Sequence, residues 1–374
     1  MKIIDQGVVI SAVSRSDASS CCFPSICVLE TGRWIAGFRL GPSKSSRSQR
    51  AVCCWSDDEG KTWSEPLVPL RDLEHRGRPG RWRAMALTPL NGHRVLATMC
   101  WEDHSKPFQP MFNERTEGLV DMKLFTAISE DAGETWSEAT PVDCGDFRDV
   151  PTPITGPALV LPDGRWAAQF EVNKHYEDPT PWKHSSALTF SSDNGRTWKQ
   201  TAVTHSDPKR RVFCWDQRIA VMPDGSLLDL FWTFDRQTAA YLNIHASASG
   251  DNGGTWSDVW DTGVPGQPAR PVGLGDGSIS MIYVDRTAAP VIKARISSDR
   301  GKTWPAATEM LLFAPTLSSQ TWKKGTMQDA WTEMSAFSLG LPDAVALPGG
   351  DMLGVFYSGP QPHETSIHWM RLRV

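Results

Sequence analysis

The sequence predicts an all-β fold, a single six-bladed β-propeller of four-stranded antiparallel blades over residues 1–374. Two repeats that interleave along the chain predict it: a tight turn that ends in Trp, and a pair of apolar strands around a Gly. Helical periodicity is nearly absent, and 374 residues are within the reach of one large propeller. The prediction needs neither a linker nor a second domain.

The first repeat is the octapeptide Ser-x-Asp-x-Gly-x-Thr-Trp. It occurs five times, at residues 56–63, 129–136, 191–198, 249–256 and 297–304. In such a turn the Asp carboxylate accepts backbone N–H groups, Gly supplies a positive φ, Thr caps the turn and Trp packs between neighbouring sheets. We interpret these residues as structural and not catalytic.

The second repeat is an apolar strand, a turn with Gly, and another apolar strand. Its six copies are marked by their turn glycines, which are Gly32, Gly92, Gly164, Gly225, Gly277 and Gly350. They lie 52 to 73 residues apart, which suits four short strands and their loops. The sixth copy lacks the octapeptide. We predict that residues 366–374 and 2–10 supply its outer strands, so that the two ends of the chain pair and close the ring.

Composition narrows the classes of partner. The net charge is −5, so no basic excess indicates a nucleic acid. The chain has neither an apolar run long enough to span a membrane nor a visible secretory leader. We expect a cytoplasmic protein, or a secreted or periplasmic one if a signal segment has been removed. The sequence makes no prediction about the oligomeric state.

Cysteine and glycine patterns indicate neither a metal ion nor a cofactor. The eight Cys lack the C-x-x-C spacing of a zinc site and are predicted to be buried, reduced thiols. The stretch that begins at Gly273 lies in a hairpin turn and not at a strand-to-helix junction, so it does not indicate a nucleotide. We therefore expect no cofactor.

The two repeats together resemble the sialidase superfamily, six-bladed propellers that carry the octapeptide as an Asp-box. The likeness covers nearly the whole chain. It implies that the octapeptide turns lie on the face away from the active site, and it implies an active face built from fixed offsets around each turn glycine. The residues nine before are Phe23, Arg83, Thr155, Asp216, Pro268 and Leu341; those seven before are Ser25, Met85, Pro157, Arg218, Arg270 and Asp343; those seven after are Arg39, Met99, Glu171, Trp232, Val284 and Tyr357.

The chain departs from the sialidase pattern at most of its characteristic positions. Cys22 stands where the resemblance implies an Arg, and the loop after Arg39 has no Asp. Leu341 stands where the nucleophilic Tyr is implied, and Asp216 occupies the position of a Glu. These departures argue against a standard retaining sialidase with a Tyr–Glu couple.

The surviving polar residues predict a pocket for an acidic sugar. Arginine suits a carboxylate or sulfate, and paired carboxylates suit acid–base hydrolysis. We predict Asp216 and Asp343 as the acid and base, with Tyr357 and Glu171 as further catalytic residues. The predicted substrate-binding residues are Arg39, Arg83, Arg218, Arg270, Trp215, Trp232, His175 and Glu333.

Each candidate also has a structural interpretation. Any one of the Arg could form a rim salt bridge, and Asp216 or Asp343 could be a turn carboxylate. Glu171 and His175 could lie in a surface loop, and Glu333 could lie on a helix face.

Three functions follow from this pocket. The leading hypothesis is an exo-acting glycoside hydrolase of sialidase-like fold that acts on a terminal sialic acid-like sugar or uronate. The second is a polysaccharide lyase, in which Tyr or His removes the proton beside a uronate carboxylate that Arg has neutralised. The third is a non-catalytic propeller that binds glycans. All three have a glycan or oligosaccharide as the partner, and none involves a nucleic acid or a membrane.

Overall fold

The computed structural model describes residues 1–13, 16–44, 46–106, 108–316 and 325–374. Within these ranges most of the regular structure is β-strand, with one α-helix and two short 3₁₀ helices. No helix in the described ranges is both long and apolar enough to cross a membrane.

The chain begins with four strands and continues with two separate sheets. The first four strands are β1 (Lys2–Ile10), β2 (Ser20–Val28), β3 (Trp34–Gly41) and β4 (Arg50–Ser56). The second sheet has, in spatial order, β5 (Glu74–His75), β6 (Arg78–Pro89), β7 (Val95–Asp103), β8 (Met122–Ser129) and β9 (Thr140–Pro141). A 3₁₀ helix, Gly145–Phe147, leads to the third sheet, with β10 (Leu159–Val160), β11 (Trp166–Val172), β12 (Ser185–Ser191) and β13 (Lys199–His205).

The fourth and fifth sheets follow in the same way. The fourth has β14 (Val212–Val221), β15 (Leu227–Asp235), β16 (Ala240–Tyr241), β17 (Asn243–Ser249) and β18 (Trp260–Pro265). The fifth has β19 (Gln267–Pro268), β20 (Val272–Gly273), β21 (Ile279–Asp285), β22 (Val291–Ser297) and β23 (Met310–Phe313), with a 3₁₀ helix, Ala306–Thr308, before β23. Helix α1 (Met327–Ala336) and strands β24 (Leu339–Ala346), β25 (Met352–Gln361) and β26 (Glu364–Arg373) complete the described chain.

The ends of the chain meet in one seven-stranded terminal sheet. Its order is β24-β25-β26-β2-β3-β4, and β1 pairs antiparallel with β26. The predicted pairing of the two ends is confirmed, from Lys2 opposite Arg373 to Ile10 opposite Ile367. The all-β, propeller-like arrangement is confirmed, whereas the count of six blades stays a prediction.

The five octapeptide turns adopt the predicted geometry. In the second sheet, Gly133 has a φ of 93° and its N–H donates to Ser129 Oγ at 2.8 Å. Asp131 accepts the N–H of Thr135 at 2.8 Å, and Trp136 Nε1 donates to the carbonyl of Gly133 at 3.1 Å. The Gly and Thr bonds recur in the other four turns, and the Trp bond recurs in three of them. Among the described residues, Trp198 Nε1 of the third turn has no hydrogen-bond partner. Each turn therefore satisfies most of its polar groups through local bonds.

The apolar side chains pack between neighbouring sheets. Trp304 of the fifth octapeptide is buried with Leu228 of the fourth sheet and Tyr283 of the fifth, as predicted for the Trp of this repeat. All eight cysteines are free and buried, which confirms their predicted place in the core. Burial raises the pKa of the Cys27 thiol to about 12, so this side chain acts as an apolar group.

Candidate active site

A cavity of about 720 Å³ lies where the inner strands of several sheets converge. Its volume falls within the range of small-molecule sites, which is about 300–1,000 Å³. The offsets counted from the turn glycines locate much of its wall. Those that line it are Phe23, Ser25, Arg39, Arg83, Met85, Thr155, Pro157, Glu171, Asp216, Arg218, Trp232, Leu341, Asp343 and Tyr357, and Trp215 lies beside them.

A recurring irregularity in the inner strands shapes the cavity. The pairing register shifts at Phe23 in β2, at Asp216 in β14 and at Leu341 in β24. These three residues have positive φ angles of 55°, 55° and 40°. A bulge re-aims a side chain away from the regular alternation of the strand, and such backbone strain is common beside functional sites. Equivalent points of different strands thus bring different side chains to one cavity.

The terminal and second sheets supply cationic groups. Arg39 is 5% exposed, and its Nε donates to the carbonyl of Arg83 at 2.8 Å. The Arg39 guanidinium lies 4.1 Å from the centre of the Phe23 ring. Burial, reinforced by the charge of Arg83, lowers the pKa of Arg39 to about 9. No carboxylate of the described residues forms an ion pair with Arg39, and its Nη1 has no hydrogen-bond partner among them. Arg83 differs, since it pairs with buried Glu102 at 2.7 Å.

Two further cations of the cavity wall, Lys44 and Arg47, form hydrogen bonds that fix neighbouring segments of the chain. Lys44 Nζ donates to the carbonyls of Met334 and Phe337, at 2.5 and 3.2 Å, and so binds the end of α1. Burial lowers the pKa of Lys44 to about 7. Arg47 forms an ion pair with Glu102 at 2.9 Å. It also donates to the carbonyl of Asp103 at the end of β7 and to the carbonyls of Lys106 and Gln109 in the segment that follows.

The third, fourth and fifth sheets bring an acidic pair together. The backbone N–H of Asp216 donates to Glu171 Oε1 at 2.5 Å. Arg218 donates to Asp216 Oδ1 at 3.0 Å, and Gln267 donates to Asp216 Oδ2 at 2.6 Å. His184 Nε2 lies 3.6 Å from Glu171 Oε2. The two carboxyl groups therefore lie in one small network with different neighbours.

The environments of these two acids push their pKa values in opposite directions. Burial raises the pKa of Asp216; Arg218 opposes this and Glu171 reinforces it, and the net direction is upward. Burial also acts to raise the pKa of Glu171, but His184 and the backbone of Asp216 outweigh it, and the net direction is downward. Two neighbouring acids with divergent pKa values are the usual arrangement for separate acid and base roles.

Aromatic side chains cover another part of the wall. Trp215 and Trp232 face each other across β14 and β15, with their rings 5.9 Å apart. Tyr357 is 1% exposed and packs 5.9 Å from Phe23. Burial raises the pKa of the Tyr357 hydroxyl, which keeps it protonated in the free protein.

Asp343 lines the cavity but is occupied by structural partners. Its carboxylate pairs with Arg270 at 2.8 Å and accepts the N–H of Ile26 at 3.0 Å. Arg270 also donates to the carbonyls of Ile26 and Ala344. The structure therefore directs Arg270 into a contact between strands and away from the main cavity, because β19 and β20 leave a gap in the inner strand at this point.

Two other predicted binding residues also lie elsewhere. His175 is exposed, in the segment that follows β11, where it forms a bridge with Leu119. Glu333 is fully buried on α1, on the side that packs against Tyr241. For His175 and Glu333 the structure supports the alternatives of a surface loop and a helix face.

The offsets also missed residues that line the cavity or support its acids. Gln267 stands ten residues before Gly277, one position earlier than the offset requires, because the inner strand of the fifth sheet is interrupted. Lys44, Trp182 and Trp331 lie in segments between strands, where no repeat predicts a position. Among the described residues, no three His, Cys, Asp or Glu side chains cluster as metal ligands.

Comparison with known proteins identifies the family to which the chain belongs. The family profile of the BNR repeat-like domain matches residues 110–312, more than half of the chain. The chain belongs to this family. No curated protein matches this BNR repeat-like chain.

Solved structures resemble the BNR repeat-like chain over almost its whole length. A Dyadobacter fermentans protein of unknown function is 21% identical, with 100% of this chain and 99% of that chain covered and a TM-score of 0.74. NanB sialidase of Streptococcus pneumoniae is 12% identical, with coverages of 98% and 70% and a TM-score of 0.68. The intramolecular trans-sialidase of Ruminococcus gnavus is 14% identical, with coverages of 98% and 97% and a TM-score of 0.62. These likenesses confirm the resemblance to the sialidase superfamily in repeat and fold.

Proposed function

We propose that this protein is an exo-acting glycoside hydrolase that removes a terminal sugar carrying a carboxylate. The observation that carries the proposal is Arg39. A buried guanidinium without an acidic partner is costly unless an anion binds it. Arg83 lies beside Arg39, so a sugar carboxylate at this point would meet two cations. Most other arginines of the cavity wall are already paired with acids.

The acidic pair supplies the chemistry. We assign Asp216 as the general acid, because its raised pKa favours the protonated form that the leaving oxygen requires. Glu171, with its lowered pKa, is the carboxylate that activates water or stabilises positive charge on the sugar. This assignment prefers Glu171 to Asp343 as the partner of Asp216, since Arg270 and Ile26 already occupy the carboxylate of Asp343.

Hydrolysis is favoured over elimination by the state of the candidate bases. A lyase needs an unprotonated Tyr or His near the carbon that loses its proton. Burial raises the pKa of Tyr357, which disfavours that state, and His175 is exposed outside the cavity. The two acids, in contrast, lie directly in the cavity wall.

A substrate screen tests the proposed function. Aryl sialosides, aryl uronides and neutral aryl glycosides are assayed at pH 4 to 8, together with acidic polysaccharides. We expect turnover of an acidic aryl glycoside and little of its neutral counterpart. Release of unsaturated uronates would establish the lyase instead. Tight binding of acidic sugars without any turnover would establish the non-catalytic propeller.

We also propose that the propeller has six blades. The terminal sheet contains two antiparallel groups, β2–β4 and β24–β26 with β1, joined by the single parallel pair Ser20 and Thr365. A buried apolar cluster that includes Trp34, Phe38, Val355 and Trp369 lies between these groups, as similar clusters lie between the other sheets. An experimental structure in which one continuous blade replaces the two groups would contradict this count.

A further inference from the structure

One part of the cavity wall carries six apolar side chains, most of them from segments that are not part of the repeats, with polar Gln109, Gln328 and Thr332 beside them. We refer to it as the apolar platform. It consists of Met111, Phe112, Leu119, Met122, Trp182 and Trp331. All but Met122 lie between strands: three between β7 and β8, one between β11 and β12, and one on α1. The cations Arg39 and Arg83, in contrast, lie within β3 and β6.

The platform is held together by its own contacts. Phe112 of the first segment stacks on Trp331 of α1, with ring centres 4.8 Å apart and planes 19° apart. The N–H of Val120 donates to the carbonyl of Met111 at 3.0 Å, and Leu119 donates to the carbonyl of Lys174 at 3.0 Å. Three segments distant in the chain therefore form one surface beside the cavity.

The platform adjoins the acidic pair. Trp182 lies two residues before His184, and the ring of His184 reaches to within 3.6 Å of Glu171. Leu119 forms its bond at Lys174, three residues after Glu171. A bond cleaved beside Glu171 would therefore lie near both the cationic strands and the platform, which line the same cavity.

On the basis of the proposed function, we propose that the platform is the subsite for the leaving group, and that this group is apolar, such as an aryl or alkyl alcohol. Polar side chains such as Gln109, Gln328 and Thr332 line the cavity beside the platform, but the platform itself offers aromatic rings, two thioethers and a Leu, so the larger gain in binding comes from burial of an apolar group. Burial of apolar surface stabilises binding by about 25 cal/mol per Å². Methionine and aromatic walls accommodate varied apolar shapes. The substrate class is thus an acidic glycoside of an apolar alcohol.

Competitive inhibition by thioglycosides tests this subsite. Their Ki values report binding without cleavage, so the acidity of the leaving group does not influence them. The inhibitors carry the acidic sugar that supports turnover and differ only in the aglycone: hexyl, methyl, a hydrophilic chain of three ethylene glycol units, or a hexose. We expect the hexyl compound to have a Ki at least about tenfold below those of the other three compounds. In Trp331→Ala this preference falls below about threefold while the Ki of the methyl compound is unchanged.

Two further variants separate a loss of the subsite from a loss of folding. Met111→Gln keeps the size of the side chain and adds a polar group, so it should weaken the hexyl compound selectively. Trp136→Ala removes an indole from an octapeptide turn and should leave the preference intact. Equal Ki values for hexyl and ethylene glycol compounds in the wild-type protein would overturn the proposal. A hexose compound that binds more tightly than the hexyl compound would also overturn it, in favour of a sugar subsite.

The failure of this inference is distinguishable from the failure of the proposed function. If no glycoside is hydrolysed, the hydrolase proposal fails, and binding of 2-naphthol, followed by its fluorescence, tests the platform alone. We expect 2-naphthol to bind at least about fivefold more weakly to Trp331→Ala than to the wild type. Absence of 2-naphthol binding to the wild-type protein would refute the platform as an apolar subsite.

Discussion

An aspartate of an octapeptide turn and an aspartate of the cavity have opposite electrostatic environments. Asp58 lies partly exposed in a surface turn, and hydrogen bonds from the backbone and side chain of Thr62 lower its pKa to about 2. Asp216 lies in the cavity wall with its side chain 24% exposed, and desolvation raises its pKa despite Arg218. The turn keeps its carboxylate charged at neutral and mildly acidic pH, whereas the cavity favours the protonated form of Asp216. The repeated residues build the scaffold, whereas the candidate site residues lie where the repeats differ.

The sharpest test of this contrast replaces one Asp in each region. Asp216→Asn removes the proposed acid, and we expect kcat to fall by about 10²- to 10⁴-fold with little change in the melting temperature. Asp131→Asn makes the same replacement in a turn, and its kcat should equal that of the wild type. Comparable losses in both variants would mean that the activity depends on the integrity of the scaffold and not on Asp216.

The next largest effect is expected at Arg39, the proposed binding site for the sugar carboxylate. Arg39→Met should reduce kcat/KM for an acidic aryl glycoside about 10- to 100-fold, because a hydrogen bond to a charged group contributes about 1.5–3 kcal/mol. Neutral glycosides should be unaffected. The matched control is Arg33→Met, since Arg33 pairs with Asp57 and Glu134 outside the cavity. An equal loss for acidic and neutral substrates would refute the role of Arg39 as the anion site.

The pH profile of kcat/KM tests whether Gln267 tunes the pKa of the proposed acid, Asp216. We expect a bell-shaped kcat/KM profile. Activity should rise from low pH as Glu171 loses its proton, and it should fall on the alkaline limb as Asp216 loses its proton. The hydrogen bond from Gln267 lowers the pKa of Asp216. Gln267→Leu should therefore move the alkaline limb to higher pH and reduce kcat by about tenfold. A loss of kcat with an unmoved alkaline limb would mean that Gln267 is only structural.

The smallest effect belongs to the turns. The folded-state pKa of Asp193 is lowered from 3.8 to about 2, so its contribution to stability is present above pH 3.8 and is lost as the pH falls towards 2. Asp193→Asn should lower the urea midpoint slightly at pH 7, and the difference from the wild type should vanish near pH 2. A difference that grows towards low pH would contradict this sign. Activity should not change.

Much of the fold and part of the site could be predicted from the sequence. The octapeptide specifies its own turn because all its bonds are local, and the Gly offsets locate cavity residues because strands keep a fixed period. Pro268 and Arg270 fall outside the main cavity because their strand is interrupted. His175 and Glu333 could not be placed because they lie in insertions.

The unpredicted residues share that physical reason. Trp182, Trp331 and Met111 come from insertions whose positions depend on contacts with one another and not on a repeat. Gln267 could be identified only through its bond to Asp216. The pairing of Asp216 with Glu171 likewise depends on how the third and fourth sheets meet.

The left-handed backbone at Phe23 and Leu341 costs the folded state conformational free energy. Bulky residues rarely occupy that region, and each instance costs about 1–3 kcal/mol. Phe23 nevertheless keeps its ring against the guanidinium of Arg39. Selection for heat tolerance alone would favour glycine at position 23 and would leave Arg39 without its aromatic support. Thermal stability and turnover would then place opposing requirements on Phe23.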